Sequence, residues 1–197
     1  MNMVILAGMP ASGKSFVAKR IADALNLPLV TKDKFKESLF DVLGWKVYPE
    51  KRKLDYAANA VLLDAVEIML DYGISVLIDD NFDEVATKRI NELITKYECN
   101  CVTVFFDGDA DAFYQRYIAR DNAHARHLGH IIQDHYPPFP GECTDYEMTR
   151  EEFRQKFEFR GIKDFRCLGD RIDVDATDPT KIDVEKLISD IKEKLTK

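Results

Sequence analysis

The chain has 197 residues, of which 46% are hydrophobic and 32% are charged, and its formal net charge is −7. This length suits one domain with its own hydrophobic core, and the composition is ordinary for a globular protein. The acidic balance excludes a general electrostatic attraction to DNA or RNA, which requires a basic surface.

Short apolar runs alternate with longer amphipathic segments from the first residues onward. Met3–Ala7 predicts a buried strand rather than a signal peptide, because it runs directly into a turn rich in Gly, Ser and Lys. Apolar residues four apart predict a helix over Lys14–Leu25, and a short strand is predicted at Leu27–Thr31. Asp33 then predicts an N-cap for a helix that reaches about Leu43.

The same alternation continues through the rest of the chain. A helix is predicted at Leu54–Tyr72, followed by a strand at Ile74–Ile78, and Asp83 predicts a cap for a helix over Glu84–Tyr97. The later predicted elements are the strand Cys101–Phe106, the helix Ala110–Arg120, a helix that a capping box starts at Thr149 and that ends at Gly161, the strand Arg171–Val174 and the helix Asp183–Leu195. This order predicts a three-layer α/β sandwich over residues 1–197, with five parallel strands covered by helices on both faces.

The alternation breaks between residues 121 and 149. This segment holds three prolines, two glycines and all four histidines of the chain. Long loops inside compact domains are usually lids or binding loops, so we predict a lid insertion here. No zinc-binding motif accompanies the histidines, so we expect contacts with phosphate or loop backbone rather than a zinc site at His124, His127, His130 and His135.

Residues 8–15, GMPASGKS, match the P-loop pattern G-x-x-x-x-G-K-[ST] at every fixed position. A predicted strand precedes the motif and a predicted helix follows it, so its backbone amides and the helix N-terminus are expected to bind the phosphates of ATP. The predicted nucleotide-binding residues here are Gly8, Ala11, Ser12, Gly13, Lys14 and Ser15. We expect Lys14 to reach the β- and γ-phosphates and Ser15 to bind Mg²⁺. The motif alone does not distinguish kinases from ATPases, GTPases or motor domains.

Two carboxylates follow predicted strands at the edge of the sheet where ligands of parallel sheets bind. Asp33 is predicted to face Lys14 and to accept the proton of an attacking hydroxyl, a role compatible with a helix cap. Asp79 follows an apolar strand as in a Walker B motif and is predicted to hold the Mg²⁺ shell. Asn81 is expected to contact either the acceptor or a loop.

Arginines lead into the lid segment. Arg116 and Arg120 are one helical turn apart and therefore share a face, and Arg126 follows within the lid. Phosphoryl transfer needs positive charge around its transition state, which guanidinium groups supply. We therefore predict a catalytic role for Arg126, and the alternative of a solvated basic helix face is less favoured.

With these residues identified, the chain resembles the P-loop kinase family that includes polynucleotide 5′-hydroxyl kinases, chloramphenicol phosphotransferases and zeta toxins. The resemblance rests on GMPASGKS at 8–15, TKD at 31–33, LIDDNF at 77–82, the arginine-to-histidine run at 116–130 and IDVDATDPTKID at 172–183. It implies the strand order 2-3-1-4-5, with the lid between the fourth strand and the last.

The resemblance also implies roles for single residues. Asp33 resembles the acceptor base and Asp79 the acid on the metal side. Arg116 resembles an arginine that packs on adenine, Arg120 and Arg126 resemble lid arginines that bind phosphate, and Thr177 lies in a segment that resembles the adenine-side loop. The segment Gly44–Tyr56 matches no acceptor site of the family.

The sequence therefore predicts an ATP-dependent kinase, with ATP and Mg²⁺ as cofactors, that phosphorylates a hydroxyl of a small-molecule or nucleoside-like acceptor. One alternative is an ATP-binding switch protein without an acceptor. Another is a nucleic-acid 5′-hydroxyl kinase, which needs a basic track that leads to Asp33. The residues available for such a track are Lys32, Lys34, Lys36, Lys46, Lys51, Arg52 and Lys53. Acidic residues interrupt this track and the whole chain is acidic, so this alternative is less favoured. Four cysteines without a C-x-x-C pair predict free thiols in a reducing cytoplasm. No apolar run approaches the roughly 20 residues that a membrane span needs, so we expect no membrane partner. The sequence does not indicate an oligomeric state.

Overall fold

The computed structural model describes residues 1–123, 126–142, 148–157 and 161–196. In these residues one sheet is formed by β1 (Asn2–Gly8), β2 (Leu29–Thr31), β3 (Val76–Asp79), β4 (Asn100–Asp107) and β5 (Asp170–Asp175). Neighbouring strands pair in parallel, in the order β2-β3-β1-β4-β5. The predicted five-stranded parallel sheet and its order are confirmed.

Helices cover both faces of this sheet. They are α1 (Lys14–Leu25), α2 (Lys32–Leu43), α3 (Tyr48–Asp71), α4 (Glu84–Lys96), α5 (Ala110–Asn122), α6 (Leu128–Ile131), α7 (Arg150–Phe157) and α8 (Val184–Leu195). Across the described parts of the chain, none of them has the length and apolar character that crossing a membrane requires.

The central strand β1 shows how the two layers form. Val4 and Leu6 lie in one apolar cluster with side chains of α1, α5, α7 and α8, whereas Met3 and Ile5 lie in a second cluster with side chains of α3 and α4. Successive side chains of a strand point to opposite faces, so a strand covered on both sides is apolar throughout. Each buried side chain of this size stabilises the fold by about 1.5–3 kcal/mol, which anchors β1 and the loop that follows it.

The predicted cap at Asp33 is wrong. Thr31 occupies the N-cap position of α2 with extended backbone, φ −113° and ψ 135°, and Asp33 lies inside the first turn. The helix begins directly after β2, so its start lies before Asp33. The side chain of Asp33 is thereby left to face the ligand edge of the sheet.

The helix predicted from residue 54 begins earlier, at Tyr48, with Pro49 in its first turn. Proline suits this position because its fixed φ is helical and its missing N–H would be unpaired there. Residues 50–53 are charged and show no apolar stripe, which is why periodicity did not place them in the helix.

The caps of the later helices agree in part with prediction. The capping box is confirmed: Glu152 N donates to Thr149 Oγ1 at 3.2 Å, and Thr149 N donates to Glu152 Oε2 at 2.7 Å. Asp183 also caps its helix by accepting from Lys186 N at 2.9 Å. Asp83 takes the N-cap position of α4, but its side chain makes no capping hydrogen bond. The helix α7 is described as far as Phe157, and the predicted end at Gly161 is not tested because residues 158–160 lie outside the described residues.

Three of the cysteines are free thiols. Cys101 lies on β4 and is buried, and Cys99 precedes the strand. Cys167 lies close by, with its Sγ 3.0 Å from Thr103 Oγ1. Cys143 lies outside the described residues, as does His124 of the lid segment.

Candidate active site

A cavity of about 660 Å³ opens at the carboxyl ends of β1, β2 and β3. Its walls come from the loop after β1, the starts of α2 and α3, the residues that follow β3, α5, the lid segment and α7. The predicted site residues that line it are Ala11, Ser12, Gly13, Lys14, Ser15, Asp33, Asp79, Arg116, Arg120 and Arg126. The fold thus brings ten of the twelve predicted residues to one space.

The other two predicted residues, Gly8 and Thr177, are not among the residues that line the cavity. Gly8 has φ +123°, and a Cβ there would lie 2.1 Å from the carbonyl oxygen of Phe106, so only glycine fits at this end of β1, where it pairs with β4. Thr177 accepts a hydrogen bond from Asp109 N at 3.0 Å through its hydroxyl, which ties the loop after β5 to the start of α5.

Lys14 lies at the start of α1 and is folded onto its own loop. Its Nζ donates to the carbonyl oxygens of Gly8 at 3.0 Å and Met9 at 2.9 Å, and to Oδ1 of Asn81 at 2.9 Å. Burial lowers the pKa of Lys14, and the nearby carboxylates, Asp79 first among them, act in the opposite direction. Asn81 thus holds the P-loop lysine, which is a loop contact of the kind that the sequence left open.

Ser15 and Asp79 form a pair of oxygen ligands beside this lysine. Ser15 Oγ donates to Asp79 Oδ2 at 3.3 Å, and Asp79 is only 7% exposed. Burial raises the pKa of Asp79 to about 6. Hydroxyl and carboxylate oxygens are ligands that Mg²⁺ prefers, so the residues present fit a magnesium ion carried by a nucleotide.

Arg116 joins the P-loop to the loop after β5. Its Nε donates to Ala11 O at 2.9 Å, its Nη2 to Ala176 O at 2.8 Å and its Nη1 to Thr177 O at 2.7 Å. These bonds hold together two segments that are far apart in the chain, one before α5 in sequence and one after it. Arg116 therefore stabilises this end of the cavity, and the adenine contact that the resemblance implies for it stays a prediction.

Arg120 and Arg126 share the carboxylate of Asp121 at the end of α5. Arg120 Nε lies 3.6 Å and Arg126 Nη1 3.4 Å from Asp121 Oδ1, and Asp121 is 2% exposed. Burial lowers the pKa of Arg120, and the positive charge of Arg126 lowers it further. The two guanidinium groups therefore concentrate positive charge on one wall of the cavity.

Asp33 faces these groups from α2. Its Oδ2 lies 3.9 Å from Nη2 of Arg126, and its Oδ1 lies 4.0 Å from Nε2 of His130. The Asp33 side chain is 60% exposed within the open cavity, so it remains accessible to a ligand. A carboxylate in this place is able to accept a proton from a hydroxyl group bound in the same space.

The cavity continues past Asp33 into a part that the sequence did not assign. This part, which we call the basic end, is lined by Lys36, Lys51, Arg52, Asp55 and Lys156. Asp55 is the hub of its ion pairs, with Lys36 at 2.7 Å, Arg52 at 3.2 Å and Lys32 at 3.5 Å. Two pairs on these helices are four residues apart, Lys32 with Lys36 and Lys51 with Asp55. This spacing indicates a shared helix face, so it was a usable sequence signal for a charged cluster once both segments were placed on helices. No sequence signal pointed to Lys156, which α7 brings in.

The lid histidines contact carboxylates and backbone. His127 Nε2 lies 2.9 Å from Asp41 Oδ1, and its Nδ1 accepts from Gly129 N at 3.0 Å. His130 Nε2 lies 3.1 Å from Glu37 Oε1, and His135 Nε2 lies 2.9 Å from Glu142 Oε2. Their described partners are therefore protein groups that dock the lid on α2 or fold it on itself.

Comparison with known proteins agrees with this geometry. No curated protein matches the chain. Among solved structures, a provisionally assigned kinase from Chloroflexus aurantiacus superposes with a TM-score of 0.81 at 26% identity, over 98% of both chains. A gluconokinase from Sinorhizobium meliloti shares the fold with a TM-score of 0.55 at 13% identity, over 99% of this chain and 91% of its own. A shikimate kinase from Aquifex aeolicus does so with a TM-score of 0.54 at 17% identity, over 98% and 96%.

The family model for the AAA domain AAA_33 matches residues 3–135. This range is more than half of the chain, and it contains the P-loop, Asp33, Asp79 and the arginines of α5 and the lid. The chain belongs to the AAA_33 family of AAA domains.

Proposed function

We propose that this protein is an ATP-dependent kinase that transfers the γ-phosphoryl group of ATP to a hydroxyl group of a small-molecule or nucleoside-like acceptor. The observation that carries the proposal is the shared cavity, in which P-loop residues and Asp33 line the same space. Bound ATP with Mg²⁺ would supply the transferable phosphoryl group and the metal that neutralises its charge. Lys14, Ser15 and Asp79 would hold that pair.

The roles of the protein groups follow from where they lie. Arg120 and Arg126 would surround the charge that develops on the transferred group. Asp33, in the first turn of α2 and in the same cavity, would orient the acceptor hydroxyl and take its proton. The space beyond Asp33 would hold the rest of the acceptor. A switch protein without an acceptor has no use for this additional space, which favours the kinase.

The basic track that a nucleic-acid kinase needs is not continuous on the surface. Lys34, Lys46 and Lys53 are exposed, whereas Lys36, Lys51 and Arg52 line the cavity. The cations of this region therefore divide between the exposed surface and a cavity of small-molecule size. This division favours a small acceptor over a nucleic-acid strand.

The names of similar structures support the same reading at the level of the fold. The Chloroflexus protein is described as a kinase, and two further neighbours are named gluconokinase and shikimate kinase. These names suggest acceptors of small size.

An ATP-consumption screen tests the proposal. Sugars, sugar acids, sugar phosphates, nucleosides and 5′-hydroxyl oligonucleotides would be supplied with Mg-ATP, and the product would be identified by mass spectrometry. We expect one class of small hydroxyl compounds to raise ATP consumption, with the Asp33→Asn variant much slower on that compound. Consumption that no acceptor changes would favour the switch, and a product seen only with oligonucleotides would favour the nucleic-acid kinase.

A further inference from the structure

We propose that the basic end of the cavity is a binding site for a compact anionic group, a carboxylate or a phosphate, and that it selects acceptors which carry one. The inference rests on the proposed function in one respect, because it takes the ligand of this end to be the acceptor. The anion site itself stands on geometry alone.

The cations of the basic end come from separate parts of the fold. Lys36 lies one turn after Asp33 on α2, Lys51 and Arg52 lie in the first turns of α3, and Lys156 lies on α7. All four line the same cavity, and each of these residues is buried or only partly exposed. Cations on one helix face are commonly a solvated surface, whereas convergence from three helices on one cavity is the arrangement of a ligand site.

The carboxylates of this region do not balance these charges. Asp55 is shared by Lys36, Arg52 and Lys32 at 2.7–3.5 Å, and Lys32 also pairs with Asp80 at 3.0 Å. Asp33 is held toward Arg126 on the other side of the cavity. Even without Lys156, the three cations Lys36, Lys51 and Arg52 outnumber Asp55, the one carboxylate among the described residues of the basic end, and this favours an anionic ligand.

Lys51 carries the argument furthest. It is 7% exposed, its Nζ donates to the carbonyl oxygen of Ile132, and it lies 5.1 Å from the centre of the Trp45 ring. Within the described residues it has no carboxylate at ion-pair distance, and the charge of Asp55 is the one that favours its charged form. A buried ammonium group without a carboxylate is costly unless a ligand supplies the negative charge.

The electrostatic state of Lys51 agrees with this view. Burial first, and then the positive charges of Lys156, Lys36 and Arg126, lower its pKa to about 6, against the opposing charge of Asp55. The same positive charge acts on His130. Burial lowers the pKa of His130 most, and the charges of Arg126, Lys36 and Lys51 lower it as well. A bound anion would favour the charged ammonium, so binding near pH 7.5 should be accompanied by proton uptake.

The first experiment measures anion binding apart from transfer. The full chain would be saturated with Mg²⁺ and a non-hydrolysable ATP analogue, which fills the P-loop, and then titrated with inorganic phosphate in a calorimeter. We expect Lys36→Met and Lys51→Met to weaken phosphate binding by about 10- to 100-fold, because each removes a charged hydrogen-bond donor. Lys34→Met on α2 and Lys53→Met on α3 are the matched controls, since both residues are exposed and lie outside the cavity lining.

Folding of the variants is checked by their affinity for the ATP analogue, which should equal that of the parent. Titration in two buffers of different ionisation enthalpy should show proton uptake by the parent near pH 7.5 and none by Lys51→Met. If phosphate does not bind the parent, or binds Lys36→Met and Lys51→Met as tightly as the parent, the anion site is wrong. Equal proton uptake by the parent and by Lys51→Met would contradict the role of Lys51 in it.

The second experiment compares acceptors in matched pairs. Sugar acids and sugar phosphates would each be assayed against the corresponding neutral sugar, and the two arms distinguish carboxylate from phosphate. We expect kcat/KM to be at least about tenfold higher for the charged member of one arm, and Lys51→Met to remove most of that difference. Equal rates for charged and neutral members would overturn the selection. Phosphate binding that depends on Lys51, with no transfer to any compound, would instead count against the kinase and leave the anion site standing.

Discussion

Ser15 and Asp79 are 64 residues apart in the chain, yet Ser15 Oγ lies 3.3 Å from Asp79 Oδ2. The two meet because β1 and β3 are neighbouring parallel strands, with Leu6 opposite Asp79 in the register. One residue lies on the helix that follows β1, and the other ends β3. Adjacent parallel strands thus place a hydroxyl and a carboxylate at one sheet edge, where the proposed nucleotide metal would bind.

Removal of the carboxylate should uncouple ATP binding from magnesium. We expect Asp79→Asn to lose about 10- to 100-fold in affinity for Mg-ATP, because the neutral amide is a poor magnesium ligand. ATP without metal should bind the variant as well as the parent or better, since a negative charge near the phosphates is gone. Calorimetric titration with and without Mg²⁺ measures both values, and an equal loss in the two conditions would contradict the metal role.

Mg-ATP should stabilise the folded protein through Lys14. A ligand that binds only the native state raises the free energy of unfolding by about 2.7 kcal/mol at 100 times its dissociation constant. Lys14→Ala should abolish the shift in thermal unfolding. Lys19→Ala, on the exposed face of the same helix, should keep it, since Lys19 lies at the surface, where it pairs with Asp23. A parent protein whose unfolding is unchanged by millimolar Mg-ATP would refute the nucleotide site.

Arg126 should act mainly on turnover. It lies in the lid segment between the carboxylates of Asp121 and Asp33, where it faces both sides of the cavity. We expect Arg126→Ala to lower kcat by about 10²–10³, the usual effect of removing one donor aimed at developing charge, while ATP affinity changes little. Arg126→Lys, which keeps the charge but not the planar fork, should recover part of the rate. Losses of equal size in kcat and in ATP affinity would make Arg126 a ground-state contact.

Asp33 should be dispensable for ATP binding and needed for transfer. Asp33→Asn keeps the size of the side chain and removes the proton acceptor, so transfer should fall by about 10²–10⁴. Because Thr31 occupies the N-cap position, loss of a helix cap cannot explain such a result. Steady-state kinetics and nucleotide titration separate the two effects, with Asp23→Asn on the surface of α1 as the matched control. Transfer at the parent rate would rule out the base assignment.

Much of the nucleotide side followed from the sequence because its signals are local. A P-loop needs a strand, a glycine-rich turn and a helix in direct succession, so residues 8–15 carry both the motif and its context. Gly8 shows the physical reason, since a side chain there would collide with Phe106. Asp79 was found in the same way, as a carboxylate at the end of an apolar strand.

The remaining side of the cavity depends on contacts between distant segments. Periodicity missed the start of α3 because its first turns face the cavity with charged residues rather than the core with apolar ones. The pairing of Lys36 with Asp55 joins α2 to α3, and Arg116 joins the P-loop to residues 176 and 177. No local pattern encodes such partners.

The sequence by itself determined the parallel sheet, the P-loop and the carboxylates at the strand ends, because strand order and glycine geometry leave marks on neighbouring residues. Only the tertiary structure decided that Lys51 and Lys156 line one cavity with Asp33, and that Lys34 and Lys53 do not. The reason is burial: a lysine reads the same in a sequence whether it faces water or a cavity. Its charge acquires a chemical role only when the packing of other helices removes the solvent around it.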